Sequence, residues 1–457
     1  MFKRANVDIT GGPLLKSIIT YAFPIMIGGL IQVLFNAADL MVVGNMGSEA
    51  DVAAVGATSP MINLFVNSCI GLSAGVSAVL ARCLGHRDEG RAKRIVTTSV
   101  FTALFLGVIL TAALVLTCTP FLRMTDCPED CFAGAADYIK VYAIGVPAVL
   151  VYNFGASIIR TSGDTQRPFN YLVVAGVLNV VLNFALCLVL TKKVIAVALS
   201  TTVSQFVAAV LTVWHLLRDK GICGINIKEI RFSAKELVGI LKIGAPCAFN
   251  SALFSLSNVQ MQTALNSYGT AAIAGNSAAM SLESSIGSLS SGFNSATVPF
   301  VGQNVGAGNK KRVGKSILIC SSVSAAIGLV GGVGLTLMAE PILGLYLPGN
   351  AEAVQFGIAR MRHVIMFYAI AAFYGTLVSA MQAFGYSFIP MINSIITVLG
   401  FRVLWLEWIY PILDASNRHI NNLFVCYTIS WTLSLIAHTT MFIIVYSKYK
   451  KGKVRQI

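Results

Sequence analysis

The sequence repeats itself at an offset of 221–222 residues, and the repeated unit is a set of six long apolar segments. Pro24, inside an apolar run, recurs as Pro246. Arg82-Cys-Leu-Gly85-His-Arg-Asp88-Glu-Gly-Arg91-Ala92 recurs as Gln303-Asn-Val-Gly306-Ala-Gly-Asn309-Lys-Lys-Arg312-Val313. Gly163-Asp164 with Pro168 recurs as Gly385-Tyr386 with Pro390. Two like halves of a membrane chain place a functional cleft between them near the bilayer midplane, because rocking one half against the other gives alternating access. The repeat therefore predicts a secondary transporter.

Composition agrees with a membrane chain. Hydrophobic residues make up 56% and charged residues 11% of the 457 positions, whereas a soluble domain carries roughly 25% charged residues. A spanning helix needs about 20 mostly apolar residues. Such runs fall at 15–43, 52–82, 95–118, 134–159, 168–191 and 194–217, then at 237–265, 270–302, 315–339, 354–382, 388–413 and 422–447. The expected architecture is all-α and integral to the membrane, with twelve transmembrane helices as two six-helix bundles. Residues 1–217 form the first lobe, 218–236 a cytoplasmic linker and 237–457 the second lobe. The polar stretch Arg218–Lys242 reads as an amphipathic helix on the membrane surface.

The net charge of +14 is loop charge. No basic stripe interleaved with aromatics is present, so nucleic acid is not an expected partner. Basic residues gather at Lys3, Arg4 and Lys16, in Arg82–Arg94, at Arg160 and Arg167, and in Arg218–Lys242, Lys310–Lys315 and Lys448–Arg455. Acidic residues Glu49, Asp51, Asp126, Glu129, Asp130, Glu340, Glu352 and Asp414 gather at the opposite span ends. Positive charge marks the cytoplasmic side, so both termini are expected inside a plasma membrane. The polar stretch Met1–Lys16 leads directly into a span without a small-residue cleavage site, which reads as no cleavable signal.

Most of the ten Cys lie in apolar runs, where a thiol behaves as a small hydrophobe. Cys127 and Cys131 flank Pro-Glu-Asp in an outside loop and leave a local disulfide open. No metal-ligand spacing and no phosphate-cradling Gly-x-x-x-x-Gly-Lys-Ser/Thr pattern occurs, which argues against an enzyme and against direct ATP driving. Trp405, Trp408 and Trp431 read as interfacial anchors. Met41, Met61, Met280 and Met381 are lining or core residues.

An ionisable side chain inside a span is costly, and so is a functional candidate by default. Asp39 lies deep in the first span, Glu283 in the eighth and Arg402 in the eleventh. Asn179 and Asn183 are four apart in the fifth span and share a face, and Thr201 is on the sixth. Amide and hydroxyl oxygens around one carboxylate suit a hard cation or a proton. Glu283 reads either as a counter-charge for a cationic substrate or as a structural partner, with Arg402 the nearest such partner in type. Asn258 and Gln260 read as helix cross-links. Pro24 and Pro246 remove backbone hydrogen bonds and are expected to bend their helices.

The repeated Gly-x-x-Asp/Asn-x-x-Arg turn resembles that of the multidrug and toxic compound extrusion (MATE) family. So do Phe35-Asn36-x-x-Asp39 with Val43-Gly44, and Arg160-Thr-Ser-Gly163-Asp164-Thr165 with Pro168. Val301-Gly302-Gln303-Asn304 and Gly400-Phe401-Arg402-Val403 extend the likeness along nearly the whole chain. The resemblance implies export of organic cations or other amphipathic compounds by a monomer, against inward proton or sodium flow and with no cofactor. It further implies a cation or proton site at Asp39, Asn179, Asn183 and Thr201, with Asn36, Glu283 and Arg402 as cavity or coupling candidates. Asn183 departs from the family pattern, which has a second carboxylate there, and the acidic residue often found on helix seven is missing. Two rivals stand beside this reading. A lipid-linked oligosaccharide flippase needs a strongly basic cavity, and only Arg402 is counted deep in a span. An intramembrane enzyme needs a base set that His363 and His438, without paired carboxylates, do not supply.

Overall fold

The structure, a computed structural model, describes residues 7–125, 127–225, 231–416 and 419–453. It is helical, with no strand among the described residues. The first repeat comprises α1 (Leu14–Met46), α2 (Glu49–His86), α3 (Glu89–Met124), α4 (Glu129–Thr161), α5 (Gln166–Val189) and α6 (Lys193–Arg218). The second opens with α7 (Ala234–Asn266), α8 (Thr270–Gly306), α9 (Lys310–Leu337) and a short α10 (Ala339–Tyr346). Its tenth span is α11 (Ala351–His363) and α12 (Tyr368–Ala383), joined by a tight helical turn at Ile365–Phe367. The eleventh is α13 (Phe388–Ser394), α14 (Phe401–Leu404) and α15 (Tyr410–Ser416), with π-helical turns at Ile395–Gly400 and Trp405–Ile409 between them. Helix α16 (Asn421–Lys450) closes the set.

Among the described residues, eleven spans are long and apolar enough to cross a membrane. The twelfth, α8, is as long as its neighbours but rich in Ser, Gly and Asn. Helices α1 and α7 both run through their prolines without a break. Large apolar side chains such as Leu116, Leu188 and Leu337 are exposed on the helix surfaces, as lipid-facing residues must be.

The chain divides into two compact units, Met1–Asp8 with Leu30–Ala252, and Ile9–Gly29 with Leu253–Ile457. Each repeat's first helix is thus shared between units, and close backbone contact explains why. In the first unit, a Cβ at Gly75 of α2 would lie 2.3 Å from the Ile240 carbonyl oxygen of α7. One at Gly71 would lie 2.6 Å from the Ala248 backbone, and one at Gly244 would lie 2.6 Å from the Leu72 carbonyl oxygen. Small residues four apart let membrane helices approach this closely. In the second unit Gly292 of α8, one repeat offset from Gly71, packs on α1, where a Cβ would lie 2.4 Å from Met26 Cγ and 3.0 Å from the Ala22 carbonyl oxygen. Gly75→Ala is expected to lower stability by about 1–3 kcal/mol, the usual cost of overpacking. Thermal unfolding in detergent checks this, and an unchanged midpoint would contradict the close approach.

The repeated turn holds those shared helices. Asp88 caps α3, its carboxylate accepting from the Arg91 backbone N–H at 2.9 Å, as its sequence position suggests. Asn309 caps α9 on Arg312 at 3.1 Å. The turn needs a left-handed residue before each cap: the first repeat uses Arg87 (φ 58°) and the second Gly308 (φ 71°). Arg91 then donates to both oxygens of Glu236 at 3.0 and 3.2 Å, with Glu236 3% exposed at the start of α7. Arg312 instead donates to the backbone carbonyls of Ile9 (3.2 Å), Gly12 (2.9 Å) and Gly11, just ahead of α1.

Several sequence expectations change. Within Arg218–Lys242, α6 ends at Arg218, the described residues 219–225 and 231–233 are turn or irregular backbone with no separate surface helix among them, and α7 begins at Ala234. Residues 226–230, with Glu229, lie outside the described residues, as do Lys3, Arg4, Asp126 and Arg455 from the charge reading. Trp405 and Trp431 are core rather than interfacial: Trp405 donates to the Asn422 carbonyl at 3.1 Å, and Trp431 packs edge-on against Tyr368 and Tyr427. Only Trp408 of the three, at 72% exposure, suits an anchor. Met61 and Met381 are buried, while Met41 and Met280 are exposed. Cys127 and Cys131 are unbonded thiols with sulfurs 3.6 Å apart, and burial together with Cys131 pushes the Cys127 thiol up to about 11.

Candidate functional site

In the first unit a polar chain runs across three apolar helices. Thr201 of α6 donates to the Val197 carbonyl at 3.0 Å and accepts from Asn179 Nδ2 of α5 at 3.2 Å. Asn183 Nδ2 donates to Asn179 Oδ1 at 3.5 Å and to Asp39 Oδ1 of α1 at 2.5 Å. The four residues that sequence reading grouped therefore do meet. Packing sets their register: the Phe35 ring lies over Gly176, where a Cβ would sit 1.7 Å from it. Asp39, one turn beyond Phe35, is thereby set opposite Asn183. Asn36 is exposed and outside this chain of hydrogen bonds.

The chain leaves acceptors free. Asn183 is fully buried, yet its Oδ1 has no hydrogen-bond partner. Among the described residues, Asp39 has no Arg, Lys or His partner and accepts only through Oδ1. The position one repeat offset from Asp39 is Met261, so this arrangement belongs to the first repeat only.

The second unit carries a different buried cluster. Gly275 of α8 approaches Ala353 of α11, where a Cβ would lie 2.1 Å from the Ala353 oxygen. The close approach lets Arg360 reach both Glu283, at 2.6 Å, and Asn276 Oδ1, at 2.8 Å. Asn276 in turn donates to Gln262 Oε1 at 3.1 Å. The partner of Glu283 is thus Arg360 and not Arg402, which reaches toward α7. There Arg402 donates to Ser257 Oγ at 3.2 Å and Asn258 Oδ1 at 3.1 Å, which bears out Asn258 as a cross-link. Both guanidiniums also lie against the Tyr427 ring, at 4.2 Å for Arg402 and 5.1 Å for Arg360.

Arg360 is the residue that sequence reasoning missed. It is 3% exposed and sits well inside the 354–382 run, which was the available signal. Arg402 is therefore not alone at depth, although Glu283 neutralises Arg360. His438 is fully buried, stacked on Tyr374 at 5.5 Å and beside Asn393, with no carboxylate partner among the described residues.

Twelve long helical spans among the described residues, in two sequence repeats and with ionisable side chains buried among them, define a multi-pass membrane transporter. The MatE family model matches residues 24–185 and 246–406, one match in each repeat, and the chain belongs to the MatE family. It is 26% identical over 364 residues to the probable multidrug resistance protein YpnP of Bacillus subtilis, covering 79% of this chain and 80% of that one. It is 24% identical over 347 residues to the FAD transporter of Shewanella oneidensis, covering 74% and 75%. The fold matches a crystal structure of MATE in complex with MaL6 at a TM-score of 0.89 and 22% identity, over 98% of this chain and all of that one.

Proposed function

We propose that this chain exports small amphipathic molecules, organic cations among them, in exchange for inward H+ or Na+ taken up at Asp39. The observation that supports this reading is an acidic side chain inside a span with no cationic partner, beside the orphan oxygen of buried Asn183. A sodium ion would use both oxygens, and a proton would neutralise the carboxylate alone. Oxygen donors of this kind suit hard cations. With Asn at position 183, the site holds one formal charge and balances one ion. The same reading places the protein as a monomer in the plasma membrane, with both termini cytoplasmic, in contact with membrane lipids and without a further cofactor. The kinship with a protein named for multidrug resistance supports drug export, and that with a protein named an FAD transporter supports a wider substrate range.

At 100 mV one inward charge contributes about 2.3 kcal/mol, enough for roughly a 50-fold gradient of a neutral solute. The test uses purified protein in liposomes loaded with a fluorescent dye. An imposed proton or sodium gradient is expected to accelerate dye movement, and equal rates with and without both gradients would overturn the proposal.

A further inference from the structure

We propose that Cys127 and Cys131, where α3 gives way to α4, are a redox pair: a reversible modification site that closes to an intramolecular disulfide on reaction with small-molecule disulfides. The inference goes beyond the exporter reading and does not depend on it, since it concerns thiol chemistry at the turn between two helices.

All ten Cys are described, and nine of them are buried; Cys127 is the half-exposed one. Its backbone is pinned, because its N–H donates to the Leu122 carbonyl of α3 at 3.0 Å. Cys131 follows one turn later, its N–H donating to the Pro128 carbonyl at 3.2 Å. It is 2% exposed and held in a buried cluster with Ala54, Val55 and Ala135. Both sulfurs converge on one acceptor, the Pro128 carbonyl oxygen, at 3.4 Å from Cys131 and 3.9 Å from Cys127. They lie 3.6 Å from each other. One thiol thus meets solvent while the other stands fixed behind it, close to the roughly 3–3.5 Å at which oriented groups react. Among the described residues no third Cys, His, Asp or Glu joins them in a metal-ligand set, which favours thiol–disulfide exchange as the chemistry of the pair.

The exchange balances with the two thiols and the small disulfide alone. The Cys127 thiolate attacks one sulfur of the small disulfide, forming a mixed disulfide and releasing one small thiol. The Cys131 thiolate then attacks Cys127 Sγ. The bond to the small molecule breaks, the Cys127–Cys131 bond forms and a second small thiol leaves. Two electrons pass to the small disulfide, and the two cysteine protons end on the two released thiols. Burial, Cys131 and the Asp130 carboxylate push the Cys127 thiol up to about 11. The first attack is therefore slow, and the second, between neighbouring sulfurs, is fast. So short a ring removes little entropy from the unfolded chain, and the bond marks a redox state rather than bracing the fold.

The test uses the full chain in detergent, reduced with a phosphine that is then removed, and incubated with oxidised glutathione. After denaturation the remaining thiols are blocked with N-ethylmaleimide. The tryptic peptide 124–140, which holds these two cysteines and no other, is then weighed. In wild type this peptide is expected to lose two hydrogens, to escape maleimide and to regain both labels after dithiothreitol. Cys131→Ser should instead stop at a glutathione adduct on Cys127, at a level at least about tenfold above the adduct in wild type, given what proximity contributes to ring closure. Thermal midpoints report that the variant folds, and the wild-type result stands without it. A glutathione adduct that persists on wild-type Cys127 would overturn the pair, as would two maleimide labels after the oxidant. Escape of Cys127 from both glutathione and maleimide in Cys131→Ser would assign its partner to another cysteine and equally overturn the pairing.

Discussion

Asp39→Asn is expected to abolish ion-driven efflux while leaving the protein folded. The side chain keeps its volume, and its amide oxygen can still accept from Asn183 Nδ2, which donates to Asp39 at 2.5 Å in the native site. What disappears is the charge. An amide at that position neither takes up a proton nor balances a sodium ion, so the roughly 2.3 kcal/mol per charge available at 100 mV no longer reaches the substrate. In liposomes the initial rate of gradient-driven dye efflux should fall to that of protein-free vesicles, while dye binding in detergent persists. Wild-type efflux from the variant would remove Asp39 from the coupling step.

The largest effect on stability is expected from Arg360→Ala. Removing one member of a buried ion pair leaves the other unpaired, at a cost of about 3–5 kcal/mol. Here the truncation strands Glu283 and deprives Asn276 Oδ1 of its donor. It also takes a guanidinium away from Tyr427. Arg360→Met combined with Glu283→Leu should recover most of that loss, because no unpaired charge then remains and the volume is kept. Thermal unfolding of Arg360→Met, Glu283→Leu and the double variant forms a cycle that isolates the coupling. A single-variant midpoint equal to wild type would mean that Arg360 contributes nothing net.

The first-repeat site was legible because its chemistry stands out against its background. Asp39 is an isolated carboxylate in an apolar run, and Asn179 and Asn183 share a face by spacing alone. The helix-one to helix-five contact needed the structure, since it depends on Gly176 making room for Phe35, and a glycine in an apolar run announces no particular neighbour. Arg360 was harder for a different reason. The adjoining Arg362 and His363 make the stretch look like a basic helix end, and α11 does stop at His363, but the span continues through Ile365–Phe367 into α12. With Arg360 left out of account, Arg402 was the cation in a span that remained to pair with Glu283. Trp405 and Trp431 were misplaced because position near a span end is shared by anchors and core residues, and only the packing partners tell them apart. The sharing of α1 and α7 between compact units was invisible in the repeat itself, which cuts between those helices rather than through them.

The two repeated arginines leave different marks on what the chain can become. Arg91 grips a carboxylate, so the position of Glu236 is bound to one chemical identity. Arg312 grips carbonyl oxygens of Ile9, Gly11 and Gly12, which every amino acid possesses. The lead-in to α1 is therefore constrained in length and indifferent to composition: a substitution there is silent to Arg312, and a deletion moves every carbonyl out of its reach. One duplicated turn has come to police spelling in one half and spacing in the other.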